Sequence, residues 1–342
     1  MPRHPRPRCE TSPRTRELGT SLQNATSVPA SSARGEGALQ RLKAAFEFRY
    51  FTLFTVMATY GLIILGGTVR VTDSGTACPD WPLCHGQVIP PADTKVWIEF
   101  SHRLAASIVG FLILGIAFIV WRRYRGNKVM LGAAITMVVL LGAQVLVGGV
   151  TVGTETAAAV VAIHLSIALA LITCLIFIAV GVQGQLRANI AQIRGVASRM
   201  PVLTAATFAG LFTLIIVGAF VSQMEAGLAY PDWPLFDGKL TSSGSTNGDI
   251  HYAHRLLAAV VGVLMITLVV RVLRSEKNSI VLAGFAVVFT LFAAEVMVGA
   301  SNVWLDLTTS VRIVHLALAS ATWAVLVFAL AWSHMRSEEA NS

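Results

Sequence analysis

The chain has 342 residues, of which 55% are hydrophobic and only 13% are charged, whereas soluble domains carry about a quarter charged residues. This composition and the mean hydropathy of +0.68 exclude an ordinary soluble enzyme. The net charge of +8 arises from short basic clusters between apolar segments. We therefore read the basic residues as membrane-topology signals rather than as a nucleic-acid-binding surface.

Residues 1–45 are rich in Arg, Ser, Thr and Pro and contain no apolar run. Such a segment cannot bury enough apolar surface to offset the entropy of ordering. The sequence therefore predicts a disordered basic tail. A mitochondrial transit peptide, which is also rich in Arg and Ser, stays open as an alternative.

Apolar segments of about 20 residues, each long enough to cross a bilayer, predict an all-α membrane protein with eight transmembrane helices. They lie near residues 48–68, 99–121, 129–150, 158–181, 202–223, 251–271, 280–300 and 311–332. Lys and Arg cluster in the tail, at 121–128, at 182–201 and at 271–277, whereas the alternate loops contain few. Because basic residues are retained on the cytoplasmic side, both termini are predicted to be cytoplasmic.

The chain contains an internal repeat. Residues 66–120 align without a gap on residues 218–272, with CPDWPLC facing YPDWPLF and SHRLAA facing AHRLLA. Each repeat holds four spans, so both have the same orientation in the membrane. The sequence therefore predicts two parallel four-helix-bundle repeats, residues 46–181 and residues 202–335.

A histidine lies near the start of each even-numbered span, and all four should have one depth in the outer leaflet. Ionisable residues inside membranes are rare and usually functional, although any one His is more often structural. Two axial imidazoles are a common ligand set for haem iron, and helix bundles hold such cofactors in their cores. The predicted pairs of haem ligands are His102 with His164, and His254 with His315.

The two repeats differ beside these histidines. Glu99 shares a helix face with His102, whereas His251 stands at the equivalent position of the second repeat. A carboxylate beside a haem can accept protons in oxidative chemistry, which predicts a reactive first half and an electron-transfer second half. A helix N-terminal Glu favoured by the macrodipole explains Glu99 nearly as well. A second carboxylate, Glu295, replaces Gln144 and has no role that we can assign.

Arginines follow two of the histidines, and a cysteine pair lies in the first outer loop. Arg103 and Arg255 are predicted to pair with haem propionates; snorkelling to the interface is the alternative. The same two readings apply to Arg312. Cys78 and Cys84 lie on the oxidising side, where a disulfide can persist, either as a structural clip or as a redox-active pair.

Together these motifs resemble the haem A synthase family over residues 46–335. The resemblance implies oxidation of the C8 methyl group of haem O to the formyl group of haem A, with a resident haem b beside the substrate haem. It implies that His102 and His164 face haem O, that Glu99 assists proton removal, and that His254 and His315 hold haem b. The family's first outer loop carries the cysteine pair, whereas the second pair of some members is replaced here by Tyr230 and Phe236.

Other functions and several partners stay open. A dihaem b-type electron-transfer protein is the alternative function, although histidines at one depth disfavour conduction across the membrane. A parallel-repeat transporter ranks third. The expected partners are haem O, membrane lipid, a haem O synthase and cytochrome oxidase assembly factors, and a homo-oligomer stays open. We expect a bacterial plasma membrane, with the mitochondrial inner membrane as the alternative.

Overall fold

A computed structural model describes residues 30–186 and 196–335. Within these ranges, eight helices are long and apolar enough to cross a membrane, which confirms the predicted all-helical membrane fold. They are α1 (Ala30–Val71), α2 (Thr94–Arg123), α3 (Lys128–Gly153), α4 (Ala158–Leu186), α5 (Pro201–Gln223), α6 (Thr246–Ser275), α7 (Ser279–Trp304) and α8 (Thr309–Met335).

The chain divides into two compact units, Met1–Lys43 and Ala44–Ser342, and the site lies in the second. Helix α1 begins at Ala30, inside the segment predicted as a tail. The remainder of that segment, residues 1–29, lies outside the described residues. The predicted tail and repeat boundaries stay predictions.

Polar residues fix where several helices begin, and they do so at equivalent places in the two repeats. Asn127 and Asn278 cap α3 and α7, and each side chain accepts hydrogen bonds from two backbone N–H groups of the first turn. Asp93 caps α2 with two such hydrogen bonds, and the Ser245 side chain caps α6 with one, from the Gly248 N–H group. Pro201 begins α5, where a missing N–H costs nothing. The caps of α2 and α6 fix the starts of two histidine-bearing helices, and the other caps fix the starts of the helices packed beside them.

The centre of the bundle is formed by α4 and α8, with α1 and α5 beside them. The Trp323 indole on α8 donates to the carbonyl of Leu169 on α4 at 3.2 Å and lies 3.1 Å from the Thr173 hydroxyl. The Tyr60 hydroxyl on α1 donates to the carbonyl of Ala317 on α8 at 3.0 Å. These contacts cross between the predicted halves at buried or partly buried positions. The Trp323 contacts join the histidine-bearing helices α4 and α8, and the Tyr60 contact joins α1 to α8.

Two loops at one end of the bundle have the same shape. We call residues 77–87 the first strap, residues 229–239 the second strap, and this end the strap end. In the first strap, the Asp80 carboxylate accepts backbone hydrogen bonds from His85 at 2.6 Å and from Gly86 at 2.7 Å. Both donors have positive φ angles. In the second strap, Asp232 accepts the equivalent bonds, at 2.7 and 2.9 Å.

These backbone hydrogen bonds favour the charged form of each strap aspartate. The bond from Gly86, reinforced by the bond from His85, lowers the pKa of the Asp80 carboxyl. The pKa of Asp232 is lowered in the same way, by the N–H groups of Gly238 and Asp237. Each strap is therefore folded around an ionised carboxylate.

Candidate functional site

All four predicted haem ligands lie on helices near the strap end, and each imidazole rests on a glycine of the preceding helix. A Cβ atom added to that glycine would lie 3.0–3.4 Å from the Cε1 atom of the histidine, whereas unstrained carbon contacts are about 3.5–4.0 Å. Any larger residue would therefore push on the ring. The pairs are Gly66 with His102, Gly148 with His164, Gly218 with His254, and Gly299 with His315.

We call these four residues the cradle glycines. In the first half, one of them lies on α1 against the histidine of α2, and another lies on α3 against the histidine of α4. The other two have the same arrangement at the aligned positions of α5–α8. Small residues let transmembrane helices approach closely, so the rings can lie against a neighbouring backbone. These glycines were not predicted as site residues from the sequence, although their recurrence in the aligned repeats was the signal that could have found them.

In the second half, the two histidines face each other. The ring centroids of His254 and His315 are 6.5 Å apart and the rings are nearly perpendicular, at 79°. Two imidazoles on opposite sides of one metal ion would have centroids about 6 Å apart, since each metal–nitrogen bond is about 2.0–2.1 Å. The Glu295 Oε1 atom lies 3.0 Å from Nδ1 of His315. A carboxylate at this distance can orient the ring and leave the other nitrogen for a metal, although the contact does not have hydrogen-bond geometry in this structure.

In the first half, an amide takes the place of that carboxylate. The Gln144 side-chain nitrogen lies 3.2 Å from Nε2 of His164. Nδ1 of His102 and Nδ1 of His164 are buried and have no hydrogen-bond partner among the described residues. Buried ring nitrogens without partners are uncommon in folded proteins. The Nδ1 atoms of His251 and His254 in the second half are buried without a partner as well, so both halves leave ring nitrogens available to a bound group.

Glu99 lies on α2 one turn from His102 and is bound by an arginine. Its Oε1 atom accepts a hydrogen bond from Nε of Arg103 at 2.8 Å, and the two side chains are 8% and 13% exposed. Its other oxygen, Oε2, accepts no hydrogen bond within the described part of the chain. The carboxylate is therefore oriented through one oxygen and free through the other.

Arg103 also holds the first strap. Its Nη1 atom donates to the carbonyls of Asp80 at 2.6 Å and Leu83 at 2.7 Å, and Nη2 donates to the carbonyl of Cys78 at 3.0 Å. These contacts favour a strap-holding role for Arg103. The predicted contact of Arg103 with haem propionates stays a prediction.

Arg255 makes the same contacts in the second half. It donates to the carbonyls of Asp232 and Leu235, each at 2.8 Å, and to that of Tyr230 at 3.3 Å. Its Nε atom donates to Nε2 of His251 at 3.0 Å, where Arg103 meets a carboxylate. The halves thus share the strap contacts and differ in the group that the arginine presents beside His102 or His254.

The straps are closed by different chemistry. The predicted Cys78–Cys84 disulfide is present, and both residues are fully buried against Val96 of α2. At the aligned positions, the rings of Tyr230 and Phe236 pack edge to face, with centroids 5.1 Å apart. The Arg255 guanidinium lies 5.9 and 5.4 Å from these two ring centroids, within reach of a cation–π interaction.

A tryptophan lies at the tip of each strap. A Cβ atom added to Gly149 on α3 would lie 3.6 Å from the Trp81 indole, so the tip of the first strap reaches the residue that follows a cradle glycine. Trp233 packs against Trp304 of α7, with ring centroids 5.7 Å apart. Each strap therefore runs from the arginine of one helix to the next helix along the chain.

In the described ranges, no group of three or more His, Cys, Asp or Glu side chains converges as a metal site would. The rings of His254 and His315 instead face each other as a pair, and His102 and His164 stand at the aligned positions of the first half. The fold and this site define a multi-pass helical membrane protein with two paired-histidine sites at one end. The chain belongs to the COX15-CtaA family of cytochrome oxidase assembly proteins, which it matches over residues 49–327.

Curated relatives resemble the chain over most of its length. Heme A synthase of Lysinibacillus sphaericus (strain C3-41) is 29% identical over 289 residues, which are 82% of this chain and 94% of the relative. Heme A synthase of Geobacillus thermodenitrificans is 28% identical over 301 residues, 83% of this chain and 90% of the relative. Heme A synthase of Bacillus cereus (strain 03BB102) is 28% identical over 277 residues, 78% and 87% of the two chains.

Proposed function

We propose that the protein is a haem A synthase, which oxidises the C8 methyl group of haem O to a formyl group by successive hydroxylations. Family membership and the names of the relatives support the reaction class. The observation that carries the proposal is the difference between two otherwise matching sites. Beside the ligand histidine, Arg103 presents the Glu99 carboxylate, whereas Arg255 presents the His251 imidazole. A pure electron carrier needs no such carboxylate.

The second half would hold the resident haem b in this proposal, with His254 and His315 as the residues that bind its iron. The 6.5 Å separation of their rings and the cradle glycines support the assignment. Haem b would supply one-electron redox chemistry to the adjacent half. Glu295 would hold the His315 ring through Nδ1 and would favour the oxidised iron by increasing the basicity of its ligand.

The first half binds haem O as the substrate, with His102 and His164 toward its iron. Their buried, unpartnered ring nitrogens support a ligand in this half. Glu99 would accept the protons released as the methyl group is oxidised, through the carboxylate oxygen that Arg103 leaves free. Arg103 would hold this carboxylate in one orientation, because its Nε contact and its strap contacts fix the guanidinium plane.

The arrangement in the membrane completes the proposal. Residues 46–181 and 202–335 would form two parallel four-helix bundles, with both termini in the cytoplasm and the straps on the outer side. The matching caps, straps and cradle glycines of the two halves support the repeat. We place the protein in a bacterial plasma membrane, as the bacterial relatives suggest, with the mitochondrial inner membrane as the alternative. A haem O synthase would supply the substrate, and cytochrome oxidase assembly factors would receive the product.

Conversion of haem O in cells that make haem O but no haem A tests the function. We expect the parental protein to yield haem A, and Glu99→Gln to yield none while retaining its bound haems, because an amide cannot accept the proton. Glu47→Gln, at an exposed position of α1, is the matched control and should behave as the parent. Full conversion by Glu99→Gln would exclude Glu99 as the base. Absence of haem A with the parent protein would favour the electron carrier.

A further inference from the structure

Three backbone carbonyls of the first strap converge on one side chain. Cys78, Asp80 and Leu83 all direct their carbonyl oxygens to the Arg103 guanidinium, at 2.6–3.0 Å. All three residues lie inside the ring that the Cys78–Cys84 disulfide closes. The contacts therefore depend on the loop keeping the shape that the disulfide and the Asp80 hydrogen bonds impose.

The same guanidinium reaches the proposed base. Arginine has five N–H donors in a rigid planar fork, and Arg103 uses both ends of this fork for the strap and Nε for Glu99. Since the guanidinium is planar, a shift of the strap carbonyls tilts the Nε–H bond as well. Hydrogen bonds to charged groups also contribute more than neutral ones, so the three Arg103 contacts tie the first strap to helix α2.

We propose that Arg103 is a positioning residue that couples the Cys78–Cys84 disulfide to the orientation of Glu99, so that opening the disulfide releases the first strap and the carboxylate together. The opening is a thiol–disulfide exchange with an external dithiol. The dithiol is oxidised to its own disulfide, and the two electrons and two protons that it loses convert Cys78 and Cys84 to thiols. The contacts that remain in the strap are the Asp80 hydrogen bonds, the His85 contact with the Ala77 carbonyl and the Trp81 contact with α3.

The second strap gives the contrast that makes the coupling specific. It carries the same carbonyl contacts to Arg255 but is closed by the packing of Tyr230 against Phe236. The second strap contains no disulfide that a reductant could open. Redox sensitivity is therefore confined to the half that contains Glu99, and Arg255 serves as the matched control position.

Thiol trapping measures the strap without reference to haem chemistry. In full-length protein carrying Cys9→Ser and Cys174→Ala, a dithiol reductant opens the disulfide and a maleimide labels the products. We expect Arg103→Gln to be reduced at least about tenfold faster than the parent, because two or more charge-assisted hydrogen bonds are lost. Arg103→Lys should resemble Arg103→Gln, since an ammonium group cannot reproduce the fork. Arg255→Gln should match the parent.

Turnover of haem O tests whether release of the strap also affects Glu99. This test rests on the proposed function. Reduction of the parent and the Arg103→Gln substitution should each lower the rate of conversion. Reduction of Arg103→Gln should lower the rate no further, because both changes break the same linkage between the disulfide and Glu99. An unchanged haem b spectrum identifies the variants as folded. If the parent makes no haem A, the function fails while the trapping result still stands. Equal reduction rates in parent and Arg103→Gln, or additive losses of turnover, would overturn the coupling.

Discussion

Replacing Gly66 with alanine places a methyl group against the His102 ring. The added Cβ would lie 3.1 Å from Cε1 of His102 and 3.7 Å from both ring nitrogens. Since carbon contacts are relaxed at about 3.5–4.0 Å, the ring or helix α1 must move by about 0.5 Å. Functional sites tolerate displacements of only about this size. The substitution therefore tests whether the cradle glycines set the ligand geometry.

The energetic cost follows from two opposing effects. An extra methyl group in a packed interior costs about 1–3 kcal/mol, whereas alanine gains about 0.5–1 kcal/mol over glycine within a helix. The net destabilisation is therefore about 1 kcal/mol, which leaves the protein folded. Gly61, one and a half turns earlier on α1, has nothing within 4 Å of an added Cβ. Gly61→Ala is the matched control, because it changes helix propensity alone.

The assay is the amount of haem O and haem A recovered from purified protein, together with the thermal unfolding midpoint. We expect Gly66→Ala to lose most of its substrate haem and to unfold slightly earlier, while Gly61→Ala retains parental haem and unfolds at the same temperature or higher. If the two variants retain equal haem, the glycine at position 66 does not position His102 and the reasoning fails.

Three further predictions concern other contacts. Glu295→Gln should raise the midpoint potential of haem b by tens of millivolts in a spectroelectrochemical titration, because the carboxylate on Nδ1 of the ligand favours ferric iron; an unchanged potential would exclude this tuning. His254→Ala should remove haem b and leave substrate haem in the other half, as measured by chromatography of extracted haems; loss of both haems would indicate one shared site. The lowered pKa of Asp80 means that its stabilisation of the strap is complete above the usual aspartate range near pH 4 and is lost as the pH falls below that range through the native pKa. The protection factor of the Gly86 amide, which is its intrinsic exchange rate at each pH divided by the observed rate, should therefore fall in acid, whereas Asp80→Asn should show a low protection factor at neutral pH that does not change in acid.

The fold was predictable because its signals are strong and local. Runs of about 20 apolar residues are needed to cross a bilayer, and the predicted segments fall inside the observed helices. The boundaries were less accurate. Helix α2 begins at Thr94 rather than near residue 99, because the Asp93 side chain caps the preceding polar turn. Polar first turns carry no hydropathy signal.

The site was predictable in its residues but less so in its contacts. Intramembrane histidines stand out by type, and the repeat paired them before any geometry was known. The partners of Arg103 could not be derived, because they are backbone carbonyls of a loop whose path depends on an aspartate-centred turn and a disulfide. From the sequence, pairing with haem propionates and snorkelling to the membrane interface were equally favoured for the Arg103 side chain. Every residue has a backbone carbonyl group, so the residue type does not show which carbonyl accepts a hydrogen bond.

The haems bound to the purified protein test the central claim most directly. Pyridine haemochrome spectra and chromatography of the extracted macrocycles identify them from protein isolated in mild detergent. We predict haem B together with haem O or haem A, with haem B lost in His315→Ala and haem O or haem A lost in His164→Ala. A well-folded protein without haem would contradict the assignment of the paired histidines as ligands.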